Sequence, residues 1–257
     1  MENKKIRIVM LCGKDQSSRI MYNGLASFAD IECVILEEKV SGIIMIQRRM
    51  KKLGVIAATG QLLFIIINKL LAKIAVGRIK QLMIEYQFND EDFPRDITKA
   101  VDSINCNDAI NKLKKIQPDA VVVNGTRIIS KNVLSAINAP FINTHMGITP
   151  KYRGVHGGYW ALANGDPDNC GVTVHLVDQG IDTGGVLYQD IICTDDRDSF
   201  NTYSVHQIAK AIPLMKAALN DVREKRVNVR QGVLPSHLWY HPTLLEYVTH
   251  WVQKGVR

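Results

Sequence analysis

The sequence contains few cysteines, and none is placed as a metal ligand or a disulfide partner would be. The five lie far apart in the chain, at Cys12, Cys33, Cys106, Cys170 and Cys193. This distribution excludes the common zinc-binding spacings and a disulfide framework, so we predict no metal site and a reducing, cytoplasmic environment. Residues 1–5, three of which are charged, lead directly into a short apolar segment in place of the longer apolar core of an export signal.

The chain also lacks the basic, aromatic-interleaved repeats of single-stranded nucleic acid-binding proteins. Aromatic residues make up 7% of its 257 residues, while 32 Lys and Arg against 25 Asp and Glu give a formal net charge of +7. A surplus of this size suits an anionic small substrate, and it suits an ordinary solvated surface equally well. We therefore expect no nucleic acid partner. The hydrophobic content of 46% is enough for a full core.

The charge-free stretch at residues 53–68 is shorter than the roughly 20 apolar residues that a bilayer-spanning helix needs. Four basic residues lie within the preceding segment 48–52, and basic residues resume at Lys69 and Lys73. This pattern predicts one or two helices within residues 41–88, buried in the core or in a dimer interface. The alternative is an amphipathic helix on an anionic membrane surface, with peripheral contact through residues 41–80.

Apolar strands alternate with helical segments through much of the chain. Residues 6–13 form an apolar run that ends at a glycine, a helix is predicted to follow as far as residue 28, and residues 31–36 form a second strand. Residues 120–123 are small or β-branched, which is typical of a strand buried on both faces. The fold class is therefore α/β, with an open, mostly parallel sheet flanked by helices.

Three polar side chains with complementary chemistry lie at or near predicted strand ends. Asn143 and His145 are two positions apart in the strand at 140–145, so their side chains share a face. Asp182 lies in a glycine-rich loop at 178–185. An amide that donates hydrogen bonds, an imidazole that carries a proton and a carboxylate that orients the imidazole are what acyl transfer needs. We predict that the three side chains converge on one pocket.

Short segments after residue 142 together carry a more specific signal than any one of them. They are Asn143-x-His145, Pro150-x-Tyr152-Arg153-Gly154, Ala161-Leu162, Gly165-Asp166, Gly171-Val172-Thr173 and Asp182-x-Gly184. In this order they resemble the formyltransferase family that uses 10-formyltetrahydrofolate, whose members include glycinamide ribonucleotide transformylase, methionyl-tRNA formyltransferase and the sugar N-formyltransferases. The resemblance covers about residues 100–195. It implies a Rossmann-like sheet with the folate at the strand carboxyl ends.

The resemblance also implies roles for individual residues. Asn143, His145 and Asp182 match the family's catalytic asparagine, histidine and aspartate, and the implied cofactor is 10-formyltetrahydrofolate. Two segments match the family's folate-binding walls: Arg127, Ile128 and Ile129, whose backbone would hold the pterin, and Val177, Asp178, Gln179 and Gly180, whose loop would close over it.

The chemistry of these groups gives an expectation for the protonation of His145. A neutral amine would attack the formyl carbon, and Asn143 and a protonated His145 would donate hydrogen bonds to the developing oxyanion. Asp182 beside the ring should hold the imidazole pKa above the roughly 6.5 of free histidine. The rate should then fall on the alkaline side, where His145 loses its proton.

The resemblance divides the chain into two parts. Residues 1–195 are expected to form the catalytic domain, with a helical insertion at about 41–90, and residues 196–257 a C-terminal helical extension packed on it. A methionyl-tRNA formyltransferase would continue into a further barrel domain, for which the residues after Lys225 are too few. A glycinamide ribonucleotide transformylase would be shorter, with a glycine- and serine-rich phosphate turn at residues 13–16.

The insertion and the tail look more like the sugar N-formyltransferases of surface-polysaccharide pathways. The expected acceptor is therefore a primary amine on a nucleotide-linked amino sugar, and a homodimer is an open alternative. His175, in the middle of a strand, is interpreted as a core residue. Candidates for weak acceptor contacts follow the catalytic strand: Lys151, Arg153, His156 and Tyr159.

Other functions stay open on the sequence alone. A glycinamide ribonucleotide transformylase or a formyltetrahydrofolate hydrolase would use a similar asparagine, histidine and aspartate set, and the hydrolase would pass the formyl group to water. A basic RNA-binding or membrane-surface protein would use residues 41–80 instead. Binding that weakens as salt rises would distinguish that class.

Overall fold

The computed structural model describes residues 5–40 and 42–257. Its strands, in chain order, are Arg7–Gly13 (β1), Asp30–Glu37 (β2), Thr98–Val101 (β3), Ala120–Asn124 (β4), Phe141–His145 (β5), Arg153–Gly154 (β6), Gly171–Leu176 (β7), Val186–Ile191 (β8) and Leu238–Trp239 (β9). Its helices are Gln16–Ala26 (α1), Gly42–Leu53 (α2), Val55–Glu85 (α3), Asn107–Ile116 (α4), Lys131–Leu134 (α5), Gly157–Ala163 (α6), Tyr203–Arg223 (α7) and Leu244–Lys254 (α8).

The long strands form one mixed sheet in the order β3-β2-β1-β4-β5-β7-β8. The strands from β3 to β5 in that order pair in parallel. Beyond β5, β7 pairs antiparallel with β5, and β8 pairs antiparallel with β7. This confirms the predicted α/β class with a mostly parallel sheet. The carboxyl ends of β1, β4 and β5 lie at the same edge, where open α/β sheets bind ligands.

Alternate side chains of the central strands go to opposite faces, and helices cover each face. Ile8 and Met10 of β1 pack with α1 and α7 in one cluster, whereas Val9 and Leu11 pack with α4 and α5 in another. All four are fully buried, because a strand covered on both sides faces the core with every residue. This packing on both faces holds the central sheet in place, and with it the carboxyl ends of β4 and β5.

The predicted helical insertion consists of α2 and α3, which Gly54 separates with a positive φ of 83°. Few side chains of α3 are buried, namely Ala58, Gln61, Phe64, Ala75 and Leu82. Most of its large apolar side chains are exposed. The expectation that this segment is buried in the core is therefore wrong, since one narrow side of the helix faces the protein.

An aromatic contact and an ion pair hold α3 on the protein. The ring centroid of Phe64 lies 4.9 Å from that of Phe200 and 5.1 Å from that of Tyr247. Toward the other end of the helix, Arg78 Nε donates to Asp198 Oδ1 at 3.0 Å. The helix therefore lies along the protein rather than projecting from it.

We expect Phe64→Ala to destabilise the protein by about 3–5 kcal/mol, because it removes a buried aromatic ring and leaves a cavity under α3. Phe64 is 1% exposed, whereas the neighbouring Leu63 is 47% exposed. Leu63→Ala is the matched control and should cost less than about 1 kcal/mol. Urea unfolding followed by circular dichroism measures both, and equal midpoints for the two variants would contradict the placement of α3.

The residues after 195 contain α7 and α8. α7 packs on β7, β8 and α1, with Ile208 and Met215 in a core cluster, and α8 packs on α3. Helices were expected in this part of the chain. The division into domains at residue 195 stays a prediction.

Candidate active site

β5 ends at the carboxyl edge of the sheet and carries Asn143 and His145. In the antiparallel pairing with β7, Asn143 lies opposite His175 and His145 lies opposite Thr173. Asp182 lies in the loop between β7 and β8, with a left-handed backbone at φ 51°. A non-glycine residue adopts this conformation at some cost, which the surrounding contacts of the loop have to offset.

The side chains predicted to be catalytic lie close together. Asp182 Oδ2 is 3.3 Å from His145 Nδ1 and accepts a hydrogen bond from the Gly154 N–H at 2.9 Å. Asp182 Oδ1 is 3.6 Å from His175 Nε2, and the same nitrogen is 3.1 Å from Asn143 Nδ2. Asn143, His145 and Asp182 thus line one pocket, and His175 joins the group.

His175 connects Asn143 to Asp182, which the sequence did not indicate. Its Nδ1 lies 2.7 Å from the carbonyl oxygen of Leu176, and a carbonyl can only accept, so Nδ1 carries the proton of the neutral ring. Nε2 then accepts a hydrogen bond from the Asn143 amide, and one N–H of that amide is left for a ligand. His175 is buried, as its interpretation as a core residue requires, but it also orients Asn143.

His145 is buried with an acceptor at each ring nitrogen. Nε2 donates to the carbonyl oxygen of Tyr152 at 2.6 Å, and Nδ1 faces Asp182. Burial lowers the pKa of His145 from the ordinary 6.5, against the opposing effects of Asp182 and the Tyr152 carbonyl. The expectation that Asp182 holds this pKa above the ordinary value is therefore wrong. Removing the imidazolium from water destabilises it by more than its attraction to the Asp182 carboxylate stabilises it.

Asp182 is ionised at neutral pH. Burial acts to raise the pKa of its carboxyl group, but the positive charge that His145 and His175 carry when they are protonated, together with the Gly154 N–H, outweighs burial and lowers that pKa to about 2. When His145 is neutral and its Nε2 donates to Tyr152, its Nδ1 has no proton and faces the carboxylate. Asp182 and His145 therefore form a pair that can take up one proton.

Two cavities meet at these residues. One has a volume of about 600 Å³ and the other of about 190 Å³. Four residues belong to the walls of both, namely Thr126, Asn143, Gly154 and Asp182. Ligands in the two cavities would therefore meet beside the Asn143 amide and the Asp182 carboxylate.

The smaller cavity lies between the end of β4 and the loop after β7. Most of the residues predicted to hold the folate line it: Arg127, Ile128, Ile129, Val177, Asp178 and Gly180. Gln179 is exposed and, within the described ranges, lies outside that wall. Val123 and Ile181 add aliphatic surface.

Two of the four candidates for acceptor contacts are engaged elsewhere. Lys151 pairs with Asp166 at 2.6 Å, and Arg153 Nη1 donates to the carbonyl oxygen of Ile181 at 2.9 Å. Over residues 5–40 and 42–257, neither cation belongs to the wall of the two cavities. The geometry therefore gives no support to Lys151 and Arg153 as phosphate ligands, because both point to partners within the protein and away from the cavities.

The other two candidates, His156 and Tyr159, line the larger cavity. Sequence reasoning missed a further part of this wall, which comes from α3, from the turn before α7 and from the start of α7: Asn68, Phe200, Asn201, Tyr203, Ser204 and Gln207. No local pattern marks these residues, since tertiary packing alone brings α3 and α7 to the end of β5.

His156 is fixed by a second histidine. Its Nε2 lies 2.9 Å from His241 Nδ1. Burial, with His241 and then Arg49, lowers the pKa of His156 to about 3, and burial with Arg49 lowers the pKa of His241 to about 4. Both rings are therefore neutral at physiological pH, so His156, which lines the larger cavity, adds no charge to it.

Relatives of known name match parts of the chain. A methionyl-tRNA formyltransferase from Thermodesulfovibrio yellowstonii is 41% identical over 96 residues, which is 37% of this chain and 31% of that protein. One from Clostridium novyi is 33% identical over 137 residues, 53% of this chain and 41% of that protein. The chain thus matches less than half the length of these relatives.

Solved structures share the fold at low sequence identity. A glycinamide ribonucleotide transformylase from Symbiobacterium toebii superposes with a TM-score of 0.57 at 17% identity, covering 92% of this chain and 96% of that one. A sugar N-formyltransferase from a Shewanella species gives a TM-score of 0.55 at 16% identity, covering 90% of this chain and 76% of that one. At these identities the likeness shows a common fold.

The family itself follows from a match to a model of many related sequences. The model described as formyl transferase matches residues 80–218, which is more than half of the chain. The matched residues include β4, β5 and the loop that carries Asp182. The chain therefore belongs to the formyl transferase family.

Proposed function

We propose that this chain is a cytoplasmic N-formyltransferase that moves a formyl group from 10-formyltetrahydrofolate to a primary amine. The acceptor in this proposal is an amino sugar carried on a nucleotide, for surface polysaccharide biosynthesis. The observation that carries the proposal is the common wall of the two cavities, where Asn143 and Asp182 are accessible from both sides.

The smaller cavity suits a flat ring with polar edges, such as a pterin. Its aliphatic walls include Val123, Ile129 and Val177. Within the described chain, the backbone N–H groups of Ile128 and Ile129 make no hydrogen bond to the protein, so they are available as donors. Bound there, 10-formyltetrahydrofolate supplies the formyl group.

Asn143 has the role of stabilising negative charge on the formyl oxygen as the amine attacks. One N–H of its amide is held by His175 Nε2, and the second can donate to the oxygen. A donor that is already oriented pays no reorganisation cost during the reaction. The position of His145, with Nε2 committed to Tyr152, leaves this role to Asn143 rather than to the imidazole.

Asp182 and His145 accept the proton that the amine loses when the new N–C bond forms. The Asp182 carboxylate lies in the common wall, and its Oδ2 faces His145 Nδ1. A proton taken up by the carboxylate is shared with the ring nitrogen, and it would be returned to N10 of the folate as the bond between N10 and the formyl carbon breaks. This requires a neutral His145, because an imidazolium would already hold the proton.

The rate is therefore expected to fall on the acid side as His145 becomes protonated, with a midpoint below the ordinary histidine value of 6.5, because burial lowers its pKa. Above that midpoint His145 is neutral and adds no alkaline limb. Profiles of kcat against pH for wild type and His145→Gln measure this. The variant should lose the His145 limb and keep any limb that belongs to the acceptor amine.

The control for the pH profile is His237→Gln, since His237 lies in the C-terminal segment outside the walls of both cavities in the described chain. Its profile should match that of wild type. An acid limb that is unchanged in His145→Gln would show that another group titrates, and it would exclude His145 from the proton-accepting pair.

The larger cavity supports an acceptor bigger than a simple amine. Its volume of about 600 Å³ is in the range of pockets that enclose ligands of several hundred daltons. The side-chain amides of Asn68 and Asn201 bond to each other, and each keeps a second N–H and a second oxygen lone pair for hydroxyl groups of a ligand. Phe200 offers an aromatic face. Such a mixture suits a sugar with an attached ring system.

The turn after β1 argues against glycinamide ribonucleotide as the acceptor. Asp15 belongs to the wall of the larger cavity and pairs with Lys39 at 2.6 Å, while Lys14 pairs with Glu38. A carboxylate at this place repels a terminal phosphate. The N-terminus of α1 is therefore poorly suited to the phosphate of a ribonucleotide.

The test is incubation with 10-formyltetrahydrofolate and a panel of nucleotide-linked amino sugars, followed by mass spectrometry of the products. Parallel reactions contain glycinamide ribonucleotide, methionyl-tRNA or no acceptor. We expect formyl transfer to be fastest to one of the amino sugars. Faster transfer to either of the other acceptors would overturn the proposed substrate, and equally fast loss of formyl groups without acceptor would identify a hydrolase.

A further inference from the structure

The exposed side of α3 is apolar at helical spacing. Large apolar side chains recur three, four or seven positions apart and are all exposed: Ile56, Leu63, Ile66, Ile67, Leu70 and Ile74. Residues at this spacing share one side of a helix. Within the described ranges this stripe is not covered by another part of the chain, which distinguishes it from the opposite side that holds Phe64 and Leu82.

Positive charge borders the stripe. Lys69, Lys73 and Lys80 are exposed and follow one another at helical spacing along one edge of it. α2 adds a second group of cations at 48–52. The sequence between Glu38 and Glu85 contains no Asp or Glu, so no acidic side chain of this segment offsets that charge.

α8 extends the apolar surface beside α3. It packs on α3 through Tyr247, whose ring lies 5.1 Å from that of Phe64. Its outward side chains Leu245, Trp251 and Val252 are exposed. Tryptophan with aliphatic neighbours is typical of surfaces that enter the headgroup region of a bilayer.

The charge distribution decides between a membrane and a second copy of the chain. In a symmetric dimer whose two α3 helices run antiparallel, the lysines along one edge of α3 would approach the same lysines of the other copy, and like charges oppose such an interface. An anionic lipid surface complements both features, because the lysines contact headgroups while the apolar stripe enters the acyl boundary.

We propose that α2 and α3 dock this protein on the surface of an anionic bilayer, with the apolar stripe of α3 facing the lipid. α3 is long and apolar enough by composition to cross a membrane. Its contacts along the protein favour a position parallel to the surface, since crossing would expose Phe64 and separate Arg78 from Asp198. This inference does not depend on the identity of the acceptor.

The first measurement is co-sedimentation of the full chain with vesicles of phosphatidylcholine alone and of phosphatidylcholine with phosphatidylglycerol. We expect binding to the anionic vesicles, weak binding to the zwitterionic ones, and release by high salt. Absence of binding to the anionic vesicles would overturn the proposal. Binding that resists salt and yields only to detergent would do so too, in favour of a spanning helix.

Two double variants separate the apolar and the electrostatic contributions. Ile56 and Ile74 are 91% and 81% exposed, so Ile56→Gln with Ile74→Gln leaves the core intact and should weaken vesicle binding more than about tenfold. Lys69→Gln with Lys73→Gln should weaken binding roughly 30-fold at low salt and reduce its salt dependence.

Matched controls carry the same chemical changes elsewhere. Val233 is 92% exposed outside the helices, and Lys114 and Lys115 are exposed on α4. Val233→Gln and the Lys114→Gln, Lys115→Gln pair should bind vesicles like wild type. Equal losses in these controls would overturn the assignment to α3. A wild-type dimer in sedimentation velocity that Ile56→Gln with Ile74→Gln converts to monomer would assign the stripe to a second copy instead.

Discussion

The Asn143→Ala variant is expected to lose about 10²- to 10³-fold in kcat, with little change in KM for either ligand. The loss follows because Asn143 donates to an oxygen that carries charge mainly in the transition state, so ground-state binding is hardly affected. His175 would also lose the amide that it orients. Steady-state kinetics with varied folate and varied acceptor measure both constants.

The control for this variant is Asn111→Ala, since Asn111 is exposed on α4 and should be nearly silent. Thermal unfolding of Asn143→Ala should stay close to that of wild type, so that a low kcat can be attributed to chemistry. A kcat within about tenfold of wild type would exclude Asn143 as the principal oxyanion donor.

The Asp182→Asn variant is expected to lose about 10²- to 10⁴-fold in kcat, because the neutral amide cannot take up the proton of the amine. The replacement has the same shape, and its oxygen can still accept from the Gly154 N–H. It also removes the charge that favours the imidazolium, so the pKa of His145 should fall further. Any remaining acid limb should therefore move to lower pH.

Asp168→Asn, an exposed carboxylate outside the cavities, is the matched control and should leave both kcat and the pH profile unchanged. Measurement of kcat over a range of pH for both variants completes the comparison. A kcat for Asp182→Asn that approaches that of wild type at high pH would show that bulk hydroxide or water accepts the proton, and Asp182 would then act on binding alone.

The place of Asn143, His145 and Asp182 could be predicted because it depends on short-range rules. Residues two apart in a strand share a face, and a glycine-rich loop can return a carboxylate to the end of the sheet. The contact of His175 with Asn143 could not be predicted in this way. It depends on the register of β7 against β5, which no segment of the sequence specifies by itself.

The protonation of His145 was predicted with the wrong sign for a related reason. The carboxylate beside the ring is visible in the sequence resemblance, whereas the degree of burial depends on how Tyr152 and its neighbours pack around the ring. Lys151 and Arg153 show the same limit. Their charge is evident from the sequence, but the groups that they contact are set by tertiary structure.

In the insertion, the sequence predicted the presence of helices but not their burial. A long apolar segment with cations at its ends predicted helices in this region, and α2 and α3 are present. The local sequence does not determine whether the side chains of α3 are buried, because burial requires another surface that covers them. α3 contacts the rest of the protein along one narrow side.

The position of α3 also bears on acceptor binding, because Asn68 belongs to this helix. The same rigid helix places Asn68 in the wall of the larger cavity and carries the exposed Ile56 and Ile74. If binding of a membrane surface to the stripe moves Asn68, it changes the affinity for the acceptor. One coupling free energy then describes the effect of the surface on acceptor binding and of the acceptor on surface binding. Linkage then requires reciprocity, so an acceptor that binds more tightly to the docked protein must strengthen docking by the same factor.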